Sequence, residues 1–434
     1  MQESHGKSAI LGLQHLLAMY AGAVAVPLLI GQGLGFSTKE MTYLISIDIF
    51  MCGVATLLQL TVTKYTGIGL PVVLGCAVQA VAPLILIGSK NGVGAMYGSI
   101  IAAGVIIVLI SGFFSKIKRF LPTIVTGSVI MVIGLTLIPI SITKLGGGDT
   151  GSKSFGNPQN IMLGLLTVAL IVIIQIWGRG FFKSISVLLG LLIATIVAYF
   201  LGDVSFSAVS DASWFHFPQF FYFGKPTFDV SSIVLMTIIS LISLVESTGV
   251  YFALGDLTGK KITESELKKG YRAEGLAVIL GGLFNTFPYT GFSQNVGLVQ
   301  LSGIKSKRPV YYSAFLLIVL GLLPKIGAFA QVIPESVLGG GMLVMFGMVA
   351  VQGLKMLSTT DMKDEKNLLI MVLSIGLGLG FNSVPNLFEQ FPEIIQMFTG
   401  NGIVITSIVA ILLNIIFNEI SPKVALIRKQ AASR

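Results

Sequence analysis

Apolar runs of about twenty residues follow one another along almost the whole chain, and this repetition limits the fold more than any other feature. Roughly 20 apolar residues make one helical crossing of a bilayer. Runs bounded by polar residues, Gly or Pro cover 10–30, 41–63, 68–87, 93–113, 121–142, 159–178, 184–202, 230–254, 272–287, 289–303, 309–331, 334–354, 367–383 and 401–419, which predicts about 14 transmembrane segments. The charge content agrees: of 434 residues, 54% are hydrophobic and only 11% charged, against about 25% charged in soluble proteins. Such a chain cannot cover a water-facing surface. Soluble domains, a disordered chain and a nucleic-acid-binding protein are excluded despite the net charge of +9, and the lipid bilayer is the expected partner. The first run is too long for a signal-peptide core and is read as a retained span.

Basic residues test this map. Numbering loops from the N-terminus puts 22 of the 28 Lys and Arg on one side, including Lys7, Lys64, Lys260, Lys261, Lys268, Lys269, Lys305, Lys307 and Arg308. The other side receives Lys39, Lys90, Lys144, Lys153, Lys225 and Lys325. Cytoplasmic loops carry the excess of Lys and Arg, so both termini and the loop 255–271 are expected in the cytoplasm. The stretch 203–229 is expected outside. An even number of spans follows.

The two halves are weakly alike. Pro122-x-x-Val125-x-Gly127 returns as Pro334-x-x-Val337-x-Gly339, followed by Gly134 and Gly347 at nearly the same spacing. Two runs are poor helices: 68–87 contains Pro71, Gly75 and Pro83, and 284–303 contains Pro288, Gly291, Gly297 and Gly303. They sit at corresponding places just upstream of the shared motif. Fourteen spans then divide into a first seven-span repeat, 1–215, and a second, 216–434. An odd repeat inverts its copy in the membrane. Paired interruptions in inverted repeats mark a transporter's midplane binding site.

Ionisable groups inside spans are costly and usually functional. Glu246, in SLISLVESTGV, is the clearest acid of this kind. Asp48, in SIDIFMCG, is expected to tie helices together. His15 lies within the first span, and Glu274 is expected to open the ninth, near Arg272 and Lys269. The second broken segment, FNTFPYTGFSQNVGLVQLSG, predicts an extended stretch over Pro288–Phe292 and a half-helix starting near Ser293. The backbone N–H groups of such a start point into the site. Gln294 and Asn295 add amide donors and acceptors, which suit a neutral, planar, imide-like solute. A second start is expected near Ala77–Gln79. Two extended stretches can pair at the midplane only when buried in protein. No Asp/Glu cage or Lys/Arg cluster accompanies them, against divalent metals or phosphates as substrates. Cys52 and Cys76 lie inside apolar runs, and His5, His15 and His216 are scattered, so no disulfide framework or metal motif is expected.

These residues resemble those of the nucleobase–ascorbate transporters, the nucleobase:cation symporter-2 family. The family signature is matched by Gln294-Asn295-Val296-Gly297 with Ser302-Gly303, its first-span Gln-His by Gln14-His15, and its buried eighth-span glutamate by Glu246. GLQHLLAMYAGAVAVPLLIG is similar to bacterial xanthine permeases, and Gln before the Asn is similar to the xanthine/urate branch. The resemblance covers nearly the whole chain. It implies an all-α integral membrane protein of two inverted seven-span repeats, with short antiparallel strands in the broken segments, core and gate domains each formed from both repeats, and a dimer. It implies that Glu246 and Gln294 hydrogen-bond a purine ring, that Asn295 and His15 shape the site, and that Ser293 and Val78 contribute backbone groups. Four positions depart from the family pattern. Val250 stands where Asp or His is usual, Ala77-Val78 where Ser-Phe is usual, and Ser302 where Thr is usual. Proton coupling is then expected at Glu246, with Glu274 as helper.

The expectation is a proton-coupled symporter of the cytoplasmic membrane that imports a purine base, foremost xanthine, without a cofactor. A urate or uracil permease is the nearest rival. An anion exchanger on the same fold would need a cationic site, and the half-helix starts have no Lys or Arg nearby in sequence. A membrane enzyme would need a nucleophile–base pair or metal motif, and none is found.

Overall fold

The computed structural model describes residues 5–113, 122–392, 395–396 and 399–420. Lys116, Lys118, Arg119, Lys423, Arg428, Lys429 and Arg434, which enter the charge split, lie outside the described residues. The chain is mainly helical. The longer helices are α1 (His5–Gly33), α2 (Thr38–Leu60), α3 (Val81–Asn91), α4 (Val93–Ile110), α5 (Thr123–Leu145), α6 (Pro158–Trp177), α7 (Ser186–Phe200), α8 (Val230–Thr258) and α9 (Glu264–Leu283). They continue with α10 (Ser293–Ser302), α11 (Arg308–Gly321), α12 (Pro324–Ala330), α13 (Glu335–Leu357), α14 (Glu365–Ser383) and α15 (Gly402–Asn414).

Among the described residues, eight helices have the length and apolar composition for a full crossing. A ninth arises if α11 and α12, bent by 89° at their junction, count as one. The bend has a local cause: Pro324 opens α12, and a proline has no N–H with which to continue the preceding helix. The fourteen expected segments include α7 and α15, which are shorter apolar helices, and the two broken runs, which divide into strand and half-helix.

One expected boundary is corrected. The loop 255–271 is largely helix, because α9 begins at Glu264. Thr263 caps it: its side chain accepts the Glu266 N–H while Glu266 accepts the Thr263 N–H. This capping box satisfies N–H groups that a helix start leaves open. Glu274 therefore does not open the helix. It lies midway along α9, at 1% exposure.

The broken runs contain the two strands, β1 (Leu74–Cys76) and β2 (Tyr289–Gly291). They pair antiparallel, with Leu74 opposite Gly291, Gly75 opposite Thr290 and Cys76 opposite Tyr289. Every residue of both strands is buried. Extended backbone at membrane depth needs all its polar groups met by protein. The pairing continues beyond the ladder, Ala77 N–H donating to Pro288 O at 2.8 Å and Phe292 N–H to Val73 O at 2.9 Å. Side chains meet outward-facing groups: Leu74 N–H donates to Thr56 Oγ1 at 3.0 Å, and Gly291 N–H to Ser247 Oγ at 2.8 Å.

The chain forms two compact units, one of residues 1–112 and 140–345, the other of 113–139 and 346–434. The first holds β1, β2 and the helices around them; α2 packs on α11, α1 on α11, and α4 on both α9 and α8. In the second, α14 packs on α15, where Gly378 and Gly402 bring the backbones together.

Candidate functional site

The strand pair delivers two helix starts to one region of the first unit. After β1 the chain makes a single 3-10 turn, Val78–Ala80, and enters α3. After β2 it enters α10 at Ser293, as the sequence predicts. Phe292 stands at the N-cap without a side-chain hydrogen bond; of the first-turn N–H groups, that of Asn295 donates to Phe292 O at 3.1 Å. Phe292 itself is 9% exposed. Its ring needs a glycine opposite, since a Cβ built at Gly75 would lie 2.9 Å from its Cδ2.

The predicted residues fall into separate contacts. Ser293 and Gln294 are both exposed, and Ser293 Oγ donates to Gln294 Oε1 at 3.3 Å. Asn295 turns the other way and is buried at 1% exposure. Its Nδ2 lies 3.0 Å from His15 Nδ1 and donates to His15 O at 3.3 Å. That pair pins α10 to α1, and Asn295 Oδ1 has no hydrogen-bond partner among the described residues. Val78 is half-buried at the opening of the 3-10 turn.

Glu246 lies half-buried on α8, the helix that packs against β2 and α10. Its Oε2 accepts from Gln79 Nε2 at 3.0 Å. No hydrogen bond joins Glu246 to Gln294 among the described residues. Gln79 is the residue that sequence reasoning passed over, because the start near Ala77–Gln79 was read for its backbone alone. The available signal was one amide in an otherwise apolar stretch, GCAVQAVAP.

Glu274 belongs to a different group. It accepts the hydroxyl of Tyr251, whose Oη is also 2.7 Å from Gln59 Nε2. Gln59 donates further to Gly270 O at 2.8 Å and accepts the Ile68 N–H at 3.2 Å. This network ties α2, α8 and α9 together. The second oxygen of Glu274 has no hydrogen-bond partner among the described residues.

Asp48, expected to tie helices together, ties its helix to a strand. Fully buried on α2, it accepts from the Tyr289 hydroxyl of β2 at 3.1 Å. Two residues of α8 hold the same strand from its other side. Ser247 Oγ lies 2.9 Å from Thr290 Oγ1, and Thr290 donates to Ser243 O at 3.3 Å. Positions 243, 246 and 247 share one helix face by their three- and four-residue spacing. The carboxylate of Glu246 is thereby held in register with the strand pair. No Lys or Arg enters these hydrogen bonds. Among the described residues no group of three or more His, Cys, Asp or Glu is placed to hold a metal.

Half-helix starts joined by a buried two-stranded ladder, in a chain with this many apolar helices, define a multi-pass membrane transporter fold. Solved structures agree at the level of fold. The transmembrane domain of a cyanobacterium bicarbonate transporter, BicA, aligns with a TM-score of 0.61 at 15% identity, over 96% of this chain and 98% of that one. Murine Solute Carrier 26 family member A9, an anion transporter in the inward-facing state, aligns with a TM-score of 0.63 at 13% identity, over 96% of this chain and 69% of that one.

The sequence relationship is far closer. The family model Xan_ur_permease, described as a permease family, matches residues 6–387, and the chain belongs to this nucleobase–ascorbate transporter family. The xanthine permease of Bacillus subtilis (strain 168) is 53% identical over 97% of this chain and 96% of that protein. The uric acid permease PucK of the same organism is also 53% identical, over 98% of this chain and 99% of that protein. The nucleobase transporter PlUacP of Paenibacillus larvae is 50% identical over 95% of this chain and 94% of that protein.

Proposed function

We propose that the protein is a proton-coupled symporter of the cytoplasmic membrane that imports a purine base, foremost xanthine. The observation that carries this reading is the pairing of Glu246 with a neutral amide, on a helix that packs against α10, whose start bears Gln294 and has no cationic hydrogen-bond partner among the described residues. A carboxylate accepts N–H donors, and an amide both donates and accepts. An oxopurine offers alternating C=O and N–H groups to such a pair. Family membership supports a nucleobase as substrate. The equal identity to a xanthine permease and a uric acid permease keeps urate as the second reading. Likeness to bicarbonate and other anion transporters extends to fold only, and an anion site would call for positive charge.

In this reading Glu246 and Gln294 hydrogen-bond the base, Ser293 and Val78 present backbone groups, and Asn295 and His15 fix the angle of α10. Glu246 exchanges the coupling proton, with Glu274 as helper. Fourteen segments in two inverted repeats, 1–215 and 216–434, form core and gate domains, and two copies associate as a dimer. One proton moved inward with a neutral base is worth about 2.3 kcal/mol per 100 mV.

Uptake of labelled xanthine, challenged with unlabelled xanthine, urate, uracil and adenine, tests the substrate. Xanthine and urate are expected to compete strongly and uracil weakly. In Gln294→Glu protein the amide donor is replaced by an ionisable acceptor, and the order of competitors is expected to change by about tenfold, the worth of one charge-assisted hydrogen bond. An unchanged order would remove Gln294 from the site.

Orientation is tested separately. Exposed Ser213 and Lys261 are replaced singly by cysteine in a protein lacking Cys52 and Cys76. An impermeant thiol reagent applied to intact cells is expected to label the Ser213→Cys protein and to spare the Lys261→Cys protein. The reverse pattern would place both termini outside.

A further inference from the structure

The hydrogen bonds around Gln79 assign it a task beyond filling space between helices. We propose that Gln79 is the positioning residue for the Glu246 carboxylate and so determines which N–H pattern of a base the site accepts; the proposal rests on the reading of Glu246 as a purine-binding group. Gln79 is 6% exposed and sits on the turn directly after β1. Its Nε2 donates to Ser243 Oγ at 2.7 Å and to Glu246 Oε2 at 3.0 Å.

The orientation of this amide follows from Ser243. The Ser243 hydroxyl donates to Ile239 O, one turn back on α8, at 3.1 Å. A hydroxyl has one hydrogen, so towards Gln79 its oxygen can only accept. The NH2 end of Gln79 must therefore face α8, and both of its hydrogens are spent there, one on Ser243 and one on Glu246. The opposite amide orientation would set Gln79 Oε1 against the Ser243 oxygen and the carboxylate.

The consequence falls on Glu246. A glutamate side chain ordered only by its ligand loses rotamer freedom on binding. Here Oε2 is already held from the strand side, and Oε1 has no hydrogen-bond partner among the described residues. A carboxylate fixed at one oxygen presents the other at a set position, and it distinguishes ligands by where their N–H lies. Because Gln79 follows β1 directly, and β1 is laddered to β2, the carboxylate is held to the same frame that carries Ser293 and Gln294.

The test uses purified full-length protein in detergent and xanthine with its N-methyl derivatives, which remove the N–H donors one position at a time. Wild-type protein is expected to bind xanthine and to reject one methyl position most strongly. Gln79→Met keeps the length and removes the donors; this discrimination is expected to shrink about tenfold. Ser243→Ala frees the amide without touching Gln79 or Glu246. It is expected to shift the same methyl position in the same direction by a smaller factor, and it carries the test if the Gln79→Met protein is not monodisperse. Equal weakening for every derivative, or a lower thermal midpoint with unchanged relative affinities, would overturn the positioning role while leaving purine binding intact. Wild-type protein that binds no purine would overturn both readings together.

Discussion

Glu246→Gln protein is expected to lose uphill uptake of the purine base while still reaching the membrane. The substitution keeps the size of the side chain, and an amide can still meet the Gln79 hydrogens with its oxygen. It cannot release or take up a proton. One proton crossing a potential of 100 mV is worth about 2.3 kcal/mol, which sustains an accumulation of about 50-fold. Without a titrating group at the site that ratio is expected to fall to about one, while exchange of external for internal base continues. The measurement is the steady ratio of labelled xanthine inside and outside energised vesicles, normalised to the protein inserted. Wild-type accumulation by well-inserted Glu246→Gln protein would end the assignment. Glu274, Asp48 and His15 would then be the next groups to test, in that order of acid availability: Glu274 has an oxygen without a hydrogen-bond partner among the described residues, whereas Asp48 is engaged by Tyr289.

The largest expected effect on folding lies in the second compact unit. Gly134 on α5 and Gly353 on α13 stand where the two helices meet. A Cβ built at Gly134 would run into the backbone of Ala350 and lie 2.6 Å from Phe346 O; one at Gly353 would meet the backbone of Met131 and lie 2.7 Å from Gly127 O. The obstacles are main-chain atoms, which cannot rotate away as side chains can. Small residues at such crossings let membrane helices pack closely. Gly134→Val is expected to destabilise by about 3 kcal/mol or more, at the upper end of overpacking costs, and to leave little folded protein. Gly347→Ala is the control, because nothing lies within 4 Å of a Cβ there. Thermal midpoints of the two purified variants check the contrast; equal midpoints would show that the crossing relaxes. The contrast also separates two positions that the weak sequence repeat sets side by side. Gly134 and Gly347 follow the motif at nearly the same spacing, yet only the first is crowded.

Much of the site was legible because helix breakers speak locally. Pro71 with Gly75, and Pro288 with Gly291, disfavour continuous helix where they cluster, whereas the lone Pro27 and Pro139 are carried inside α1 and α5; the start of α10 at Ser293 follows the second cluster. Burial of both extended stretches was foreseeable too, since lipid offers their backbone no partners. That Asp48 would be a tie came from its place in an apolar run; that its partner is a strand and not a helix did not. The start of α9 was misplaced for the opposite reason. The charges of ESELKKGYRAEG pointed to a loop, while Thr263 and Glu266 together form a helix-starting box that outweighs them locally.

What the sequence by itself determined is therefore the solvent, the class and the breaks: charge scarcity demands a bilayer, and prolines and glycines place the interruptions. The tertiary structure decided who meets whom. Gln79 and Glu246 are far apart in the chain, as are Asn295 and His15, and Gln59 and the Tyr251 that links it to Glu274. Their contacts depend on the register of β1 against β2 and on the rotation of α8 about its axis. Those are set by packing among all the helices at once, such as Ser247 receiving Gly291 and Thr56 receiving Leu74. A one-residue slip of the ladder would turn every strand side chain to the opposite face, and no local residue preference encodes that choice.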